Sequence, residues 1–160
     1  MPFLVPIFVA NMAKYFDSDS PMFEGVKGDV SNVASPGTAK GWAESIKLAS
    51  ASIFPPSITL SASELAMFGA LAGWHANNDG AGRMLKSAID VFYATYAPGC
   101  LPAFAAIPPI QCPIENTFSS GMDGLTHTQW ATNCGNEIAN WIPKGTWVSL
   151  TPTGASGPWV

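Results

Sequence analysis

LSASELAMFGALAGWH, residues 60–75, and RMLKSAIDVFYATYAPG, residues 83–99, decide the fold. In the first, Ser61 stands three residues before Glu64. A hydroxyl there can cap the third helical amide while the glutamate reaches back to the cap amide, and Leu60 can pack on Leu65 as a hydrophobic staple. This pattern predicts a helix starting at Ser61. Ala62, Ala66, Gly69 and Gly73 recur three or four residues apart, with Leu65, Phe68 and Leu71 beside them, so a neighbouring helix is expected along a seam of small residues. Each interior glycine costs about 1 kcal/mol relative to alanine, which only close packing would offset. In the second stretch, Leu85, Ala88, Ile89, Phe92 and Tyr96 follow the helical period. NNDGAG (77–82) separates the two, and Pro98-Gly99 stops the second. The pair predicts a helical hairpin.

Working outward, residues 3–16 place Leu4, Phe8, Met12 and Tyr15 at helical spacing with little polar surface, which suits a helix that is central or covered by a partner. DSDSPMFEGVKGDVSNVASPG, within residues 17–37, is polar and rich in turn formers. Asp17, Asp19 and Glu24 suggest calcium, but EF-hand spacing would put Pro21 at a ligand position and Gly28 where the bidentate glutamate belongs. A solvated loop is the better reading. Residues 38–53 carry an apolar stripe of Trp42, Ile46, Ala49 and Ile53, ended by Phe54-Pro55-Pro56 because residues before proline avoid the α region. Residues 128–142 repeat the pattern with Trp130, Cys134, Ile138 and Trp141, and Thr126 or Thr128 can cap that helix. The expected fold is therefore mainly α, a small domain of about four helices including a central hairpin. Residues 1–142 form the helical domain, with the polar loop at 17–37 and a proline-rich strap at 98–113. Residues 143–160 form an extended C-terminal arm that contains a short strand-like TWVSLT and needs a host to cover it. SASIFPPS and AFAAIPPI hint at internal similarity without establishing a duplication.

The strap CLPAFAAIPPIQC (100–112) raises the question of chemistry. A Cys100–Cys112 disulfide would add roughly 2–3 kcal/mol by loop-closure entropy, but Pro102, Pro108 and Pro109 favour extension. Eleven intervening residues in polyproline II span about 35 Å, so free buried thiols are expected. Zinc would have to join Cys100, Cys112, His127 and Cys134, none of which comes in the close pairs that structural sites use. His75 and His127 could be assembled with serines into a hydrolase triad, yet no G-x-S-x-G elbow precedes a helix. DGAG before a helix lacks the Lys-Ser/Thr of a phosphate loop. Paired carboxylates of the glycosidase kind can be drawn from Glu24, Glu44 or Glu64, but Glu64 is better explained as a cap. No catalytic, cofactor-binding or metal residue is assigned, and no small-molecule substrate is expected.

Composition narrows the class. Charged residues make up 11% of the chain, against about 25% in ordinary soluble domains, and residues 91–160 carry only Glu115, Asp123, Glu137 and Lys144. A net charge of −4, with basic residues spread singly, excludes the clustered cations that nucleic acid requires. The longest uncharged run, 91–114, is broken by five prolines and cannot be a spanning helix. The apolar start PFLVPIFVANMA lacks the basic n-region of a secretory signal and reads as retained. Interface cores are rich in aromatics and poor in Lys, Glu and Asp, which is the balance seen here.

Over residues 60–115, SASELAMFGALAGW plus MLKSAIDVFYATYAPG followed by LPAFAAIPPI resembles small virion structural proteins of tailed bacteriophages. That resemblance implies a neck, tail or baseplate component located in the virion, not an enzyme, whose partners are copies of itself and other virion proteins. Contacts would then fall on Phe104, Ile107 and Ile110 in the strap and on Trp147, Pro158, Trp159 and Val160 in the arm. The rival expectation is a secreted or periplasmic helical binding module with Cys100 and Cys112 bridged.

Overall fold

A computed structural model describes residues 2–16, 36–73, 80–120 and 124–160. The polar loop, with Asp17, Asp19 and Glu24, falls outside them over residues 17–35, as does His75. Among the described residues are six α-helices: α1 (Val5–Phe16), α2 (Pro36–Ser50), α3 (Leu60–Ala70), α4 (Ala81–Tyr96), α5 (Ile114–Ser120) and α6 (His127–Trp141). Three short strands, β1 (Phe104–Ile107), β2 (Thr146–Ser149) and β3 (Ser156–Pro158), make one antiparallel sheet in the order β1-β2-β3. The mainly α expectation holds. No helix among the described residues is long and apolar enough to cross a membrane.

The apolar stripes find the core. α1 packs on α2 and α6, α3 on α4 and α2, and α5 bridges α4 and α6. Trp42, Ile46, Ala49 and Ile53 are all buried, as are Leu85, Ala88, Ile89, Phe92 and Tyr96 on α4. Close approach explains two glycines. A β-carbon on Gly41 would stand 2.6 Å from Tyr15 Cγ, and one on Gly135 would stand 3.0 Å from a Phe8 ring carbon, so α1 can lie this near α2 and α6 only because those positions lack a side chain. Near the start of α6 the core is an aromatic cluster: Trp42 meets Trp130 edge-on at 5.8 Å, with Phe8, Phe16 and Phe118 around them. Inside, Asn11 donates to Ser45 at 2.9 Å, and the Ser50 and Tyr93 hydroxyls pair at 2.8 Å, so these buried polar groups do not carry an unmet desolvation cost.

Thr126 caps α6 as expected. Its hydroxyl accepts from the Gln129 amide while the Gln129 side chain accepts from the Thr126 amide. The box expected at Ser61 does not form. Thr59 occupies the cap of α3 without a side-chain cap bond, its hydroxyl donating instead to the Thr95 carbonyl on α4. Glu64 is taken by Lys47 of α2, and Leu65 is 70% exposed, so no staple with Leu60 is made. The small-residue seam is corrected as well. α3 buries Ser63 and Met67, with Leu71 just beyond, whereas Ala62, Gly69 and Gly73 are exposed. A short helix, α5, was not anticipated. α2 also stops at Ser50, ahead of the proline pair, and the chain turns before a cis Phe54-Pro55 bond.

The strap and the arm are one structure. After a 3₁₀ turn (Ala97–Cys100) and a cis Leu101-Pro102 bond, the strap becomes the edge strand β1. Its SASIFPPS counterpart has no strand, so the internal similarity stays local to sequence. Residues 143–160 are no free arm. β2 and β3 form a hairpin on β1, Val160 and Phe54 exchange backbone hydrogen bonds of 2.6 and 3.1 Å, and Trp159 is fully buried between Tyr93 and Tyr96 at 6.0 and 5.3 Å. A large aromatic followed by one residue reads as an arm in sequence. In the fold, that aromatic fills the end of its own core.

Candidate interaction surface

Alternation along the strands sorts the sheet into two faces. Phe104, Ala106 and Trp147 turn inward, and Phe104 and Trp147 close an aromatic triangle with Phe54 at 4.9, 5.0 and 5.5 Å, each pair nearly perpendicular. The Trp147 indole donates to the Pro158 carbonyl at 2.9 Å, tying β2 to β3. Outward stand Ala105 opposite Val148, and Ile107 opposite Thr146, which is itself opposite Pro158. Ile107 is 66% exposed and Val148 45%. FAAI, TWVS and SGP contain no charged residue. Ile110, 72% exposed, and Leu150 extend the apolar surface beyond the ends of β1 and β2. β1 keeps an unpaired edge among the described residues, whereas the outer edge of β3 is blunted by Pro158, which has no N–H, and by Val160, which pairs with Phe54.

The expected contact residues therefore divide. Ile107, Ile110, Pro158 and Val160 are exposed. Phe104 and Trp147 face inward and fasten the sheet to the helices, and Trp159 belongs to the core, its indole donating to the Thr146 carbonyl at 3.0 Å. These three are corrected from contact residues to supports. Val148, Ala105 and Leu150 share the outer face and were missed, although two-residue alternation aligned between FAAI and TWVS is enough to place Val148 beside Ile107. A further apolar group, Ile58, Leu65 and Phe68, is exposed on α3 and just before it.

A scan against protein-family models finds no match, and searches of curated proteins and solved structures find none. The surface must be read from its own chemistry.

The three cysteines take no part in it. Cys100, Cys112 and Cys134 are free and buried, which corrects the bridged alternative. The Cys100 thiol donates weakly to the Pro55 and Tyr96 carbonyls, while the Cys112 amide is held by Asp90 at 3.0 Å. Burial pushes the Cys100 thiol up to about 11 and the Cys112 thiol up to about 12, the latter also raised by the nearby Asp90 and Glu137 carboxylates. Burial, with Glu137, raises Cys134 as well. Since the thiolate is the reactive form, native protein at neutral pH will label with a thiol reagent only as fast as it unfolds. Burst labelling of any cysteine before unfolding would contradict this burial. Among the described residues no three His, Cys, Asp or Glu side chains gather to hold a metal. The ring of His127 stacks on Phe16 at 5.6 Å.

Proposed function

We propose that this chain is a structural subunit of a larger protein assembly and that the outer face of the three-stranded sheet is its contact surface. The observation that carries the reading is the uncharged outer face, where Ala105, Ile107, Val148 and Pro158 are interspersed with the hydroxyls of Thr146 and Ser156, on a sheet whose β1 edge is unpaired among the described residues. Such edges and faces associate unless charge, proline or a covering element blunts them. The partner is a second copy of the chain. With a net charge of −4, two copies repel over most of their surfaces, but they can meet here without burying a charge. Packing this face against the same face of another copy is an isologous contact, which closes as a two-fold dimer. The resemblance of residues 60–115 to small virion proteins of tailed bacteriophages supplies the setting, a repeated neck, tail or baseplate component among other virion proteins.

Sedimentation of the purified chain over a range of concentrations tests the reading. The wild type is expected to form a closed oligomer, and the pair Ile107→Lys and Val148→Lys to sediment as a monomer with an unchanged helical circular dichroism spectrum. A wild type that stays monomeric at every concentration, or a double variant that assembles as before, would overturn it.

A further inference from the structure

α6 presents a second surface of a different kind. Its buried stripe of Trp130, Cys134, Ile138 and Trp141 leaves Asn133, Asn136 and Asn140 on one outer face, a ladder spanning about 10 Å at the helical rise. These amides line a cleft of about 690 Å³ between α5 and α6, together with Glu137 and Thr117, which are hydrogen-bonded to each other, and Lys144. No side-chain hydrogen bond ties the three amides to other described residues. Asparagine is among the weaker helix formers because its short amide competes for the backbone. Three on one exposed face, where Glu, Lys or Gln would serve solubility better, call for a use of the amide itself.

We propose that this cleft binds a neutral saccharide through Asn133, Asn136 and Asn140. Each amide offers donors and an acceptor side by side, matching hydroxyl groups that both give and take hydrogen bonds. Glu137 can only accept when ionised and Lys144 can only donate. Their charges oppose each other, so the lining carries no net charge to favour an ionic ligand. Leu125 and Pro113 on the rim supply apolar contact for the C–H faces of a sugar ring. An extended peptide fits worse, because peptide recognition uses a strand edge or a series of apolar side-chain pockets, and here the apolar lining is limited to Pro113, Leu125 and Trp141. The inference is independent of the assembly reading and uses the opposite kind of surface.

The test is titration of the purified chain, by calorimetry or amide chemical shifts, with neutral methyl glycosides and their short oligomers, alongside a uronate and an uncharged peptide. At least one neutral glycoside is expected to bind saturably. Asn136→Ala or Asn140→Ala should weaken that binding roughly tenfold, the loss of about one hydrogen bond to a polar ligand. Alanine is the better helix former, so the thermal midpoint of these variants should hold or rise, which a structural role for the amides would not allow. Absence of saturable binding by every neutral glycoside, preference for the uronate or the peptide, or binding unchanged in the alanine variants would overturn the proposal.

Discussion

Replacing Trp159 with alanine is expected to lower stability by about 3–5 kcal/mol, the range for removing a large aromatic from a packed core. In a domain of this size that corresponds to a fall of roughly 10 °C or more in Tm. The side chain is fully buried against Tyr93 and Tyr96, its indole nitrogen donates to Thr146, and its own amide donates to Gly145. Truncation leaves a void beneath the β2–β3 hairpin and removes the indole from the Thr146 carbonyl. Trp159→Phe should recover much of the packing but not that hydrogen bond, and so fall between the two. Thermal melts of the three proteins decide the matter. A Tm within about 2 °C of wild type for the alanine variant would mean that the tail is a detachable arm after all.

Raising the pH should unfold the protein well below the point at which exposed groups alone would. Burial holds the Cys112 thiol at about 12 against an ordinary value of 9.0, and raises Cys134, Tyr93 and Tyr96 above their ordinary values too. The sign follows from which state ionises first. Below about pH 9 both states keep the Cys112 proton and the native state has its full advantage. Between about 9 and 12 the unfolded chain loses that proton while the folded chain must keep it, so stability falls with each step in pH. Three units on one thiol are on the order of 4 kcal/mol, a large part of the 5–15 kcal/mol typical of a domain. Urea midpoints under reducing conditions should drop steeply above about pH 9 and on towards pH 12, and less steeply in a Cys112→Ala, Cys134→Ala variant. A flat profile would contradict the burial of these groups.

Much of the helical framework was legible because each long helix buries one face. The stripes Trp42-Ile46-Ala49-Ile53 and Trp130-Cys134-Ile138-Trp141 are buried throughout, and Thr126 with Gln129 forms a cap from neighbours in sequence alone. What failed depended on distant partners. Glu64 satisfies a local capping pattern equally well whether or not Lys47 lies within reach, and the ion pair with Lys47 prevails. Small residues on α3 suit either a close seam or an open face, and nothing within residues 60–75 says which. α5 has seven residues, too few for periodicity to separate it from the loops beside it. The tail was misread because a segment such as TPTGASGPWV takes its structure from Tyr93, Tyr96 and Phe54, far back in the chain. At the candidate surface, Ile107, Ile110, Pro158 and Val160 were found by their apolar character, while the inward turn of Phe104, Trp147 and Trp159 needed the strand register.

The placement of the strands has a further consequence in the order of events. β1 and β2 lie on either side of α5 and α6 in sequence, so pairing Phe104 with Ser149 closes a long stretch of chain, and such non-local pairings are slow because the chain entropy must be overcome before the contacts reward it. Ala105, Ile107, Val148 and Pro158 share a face only once that has happened. A partly folded chain has no such surface to offer, and the self-association proposed for it would be reserved for molecules in which the sheet has already formed.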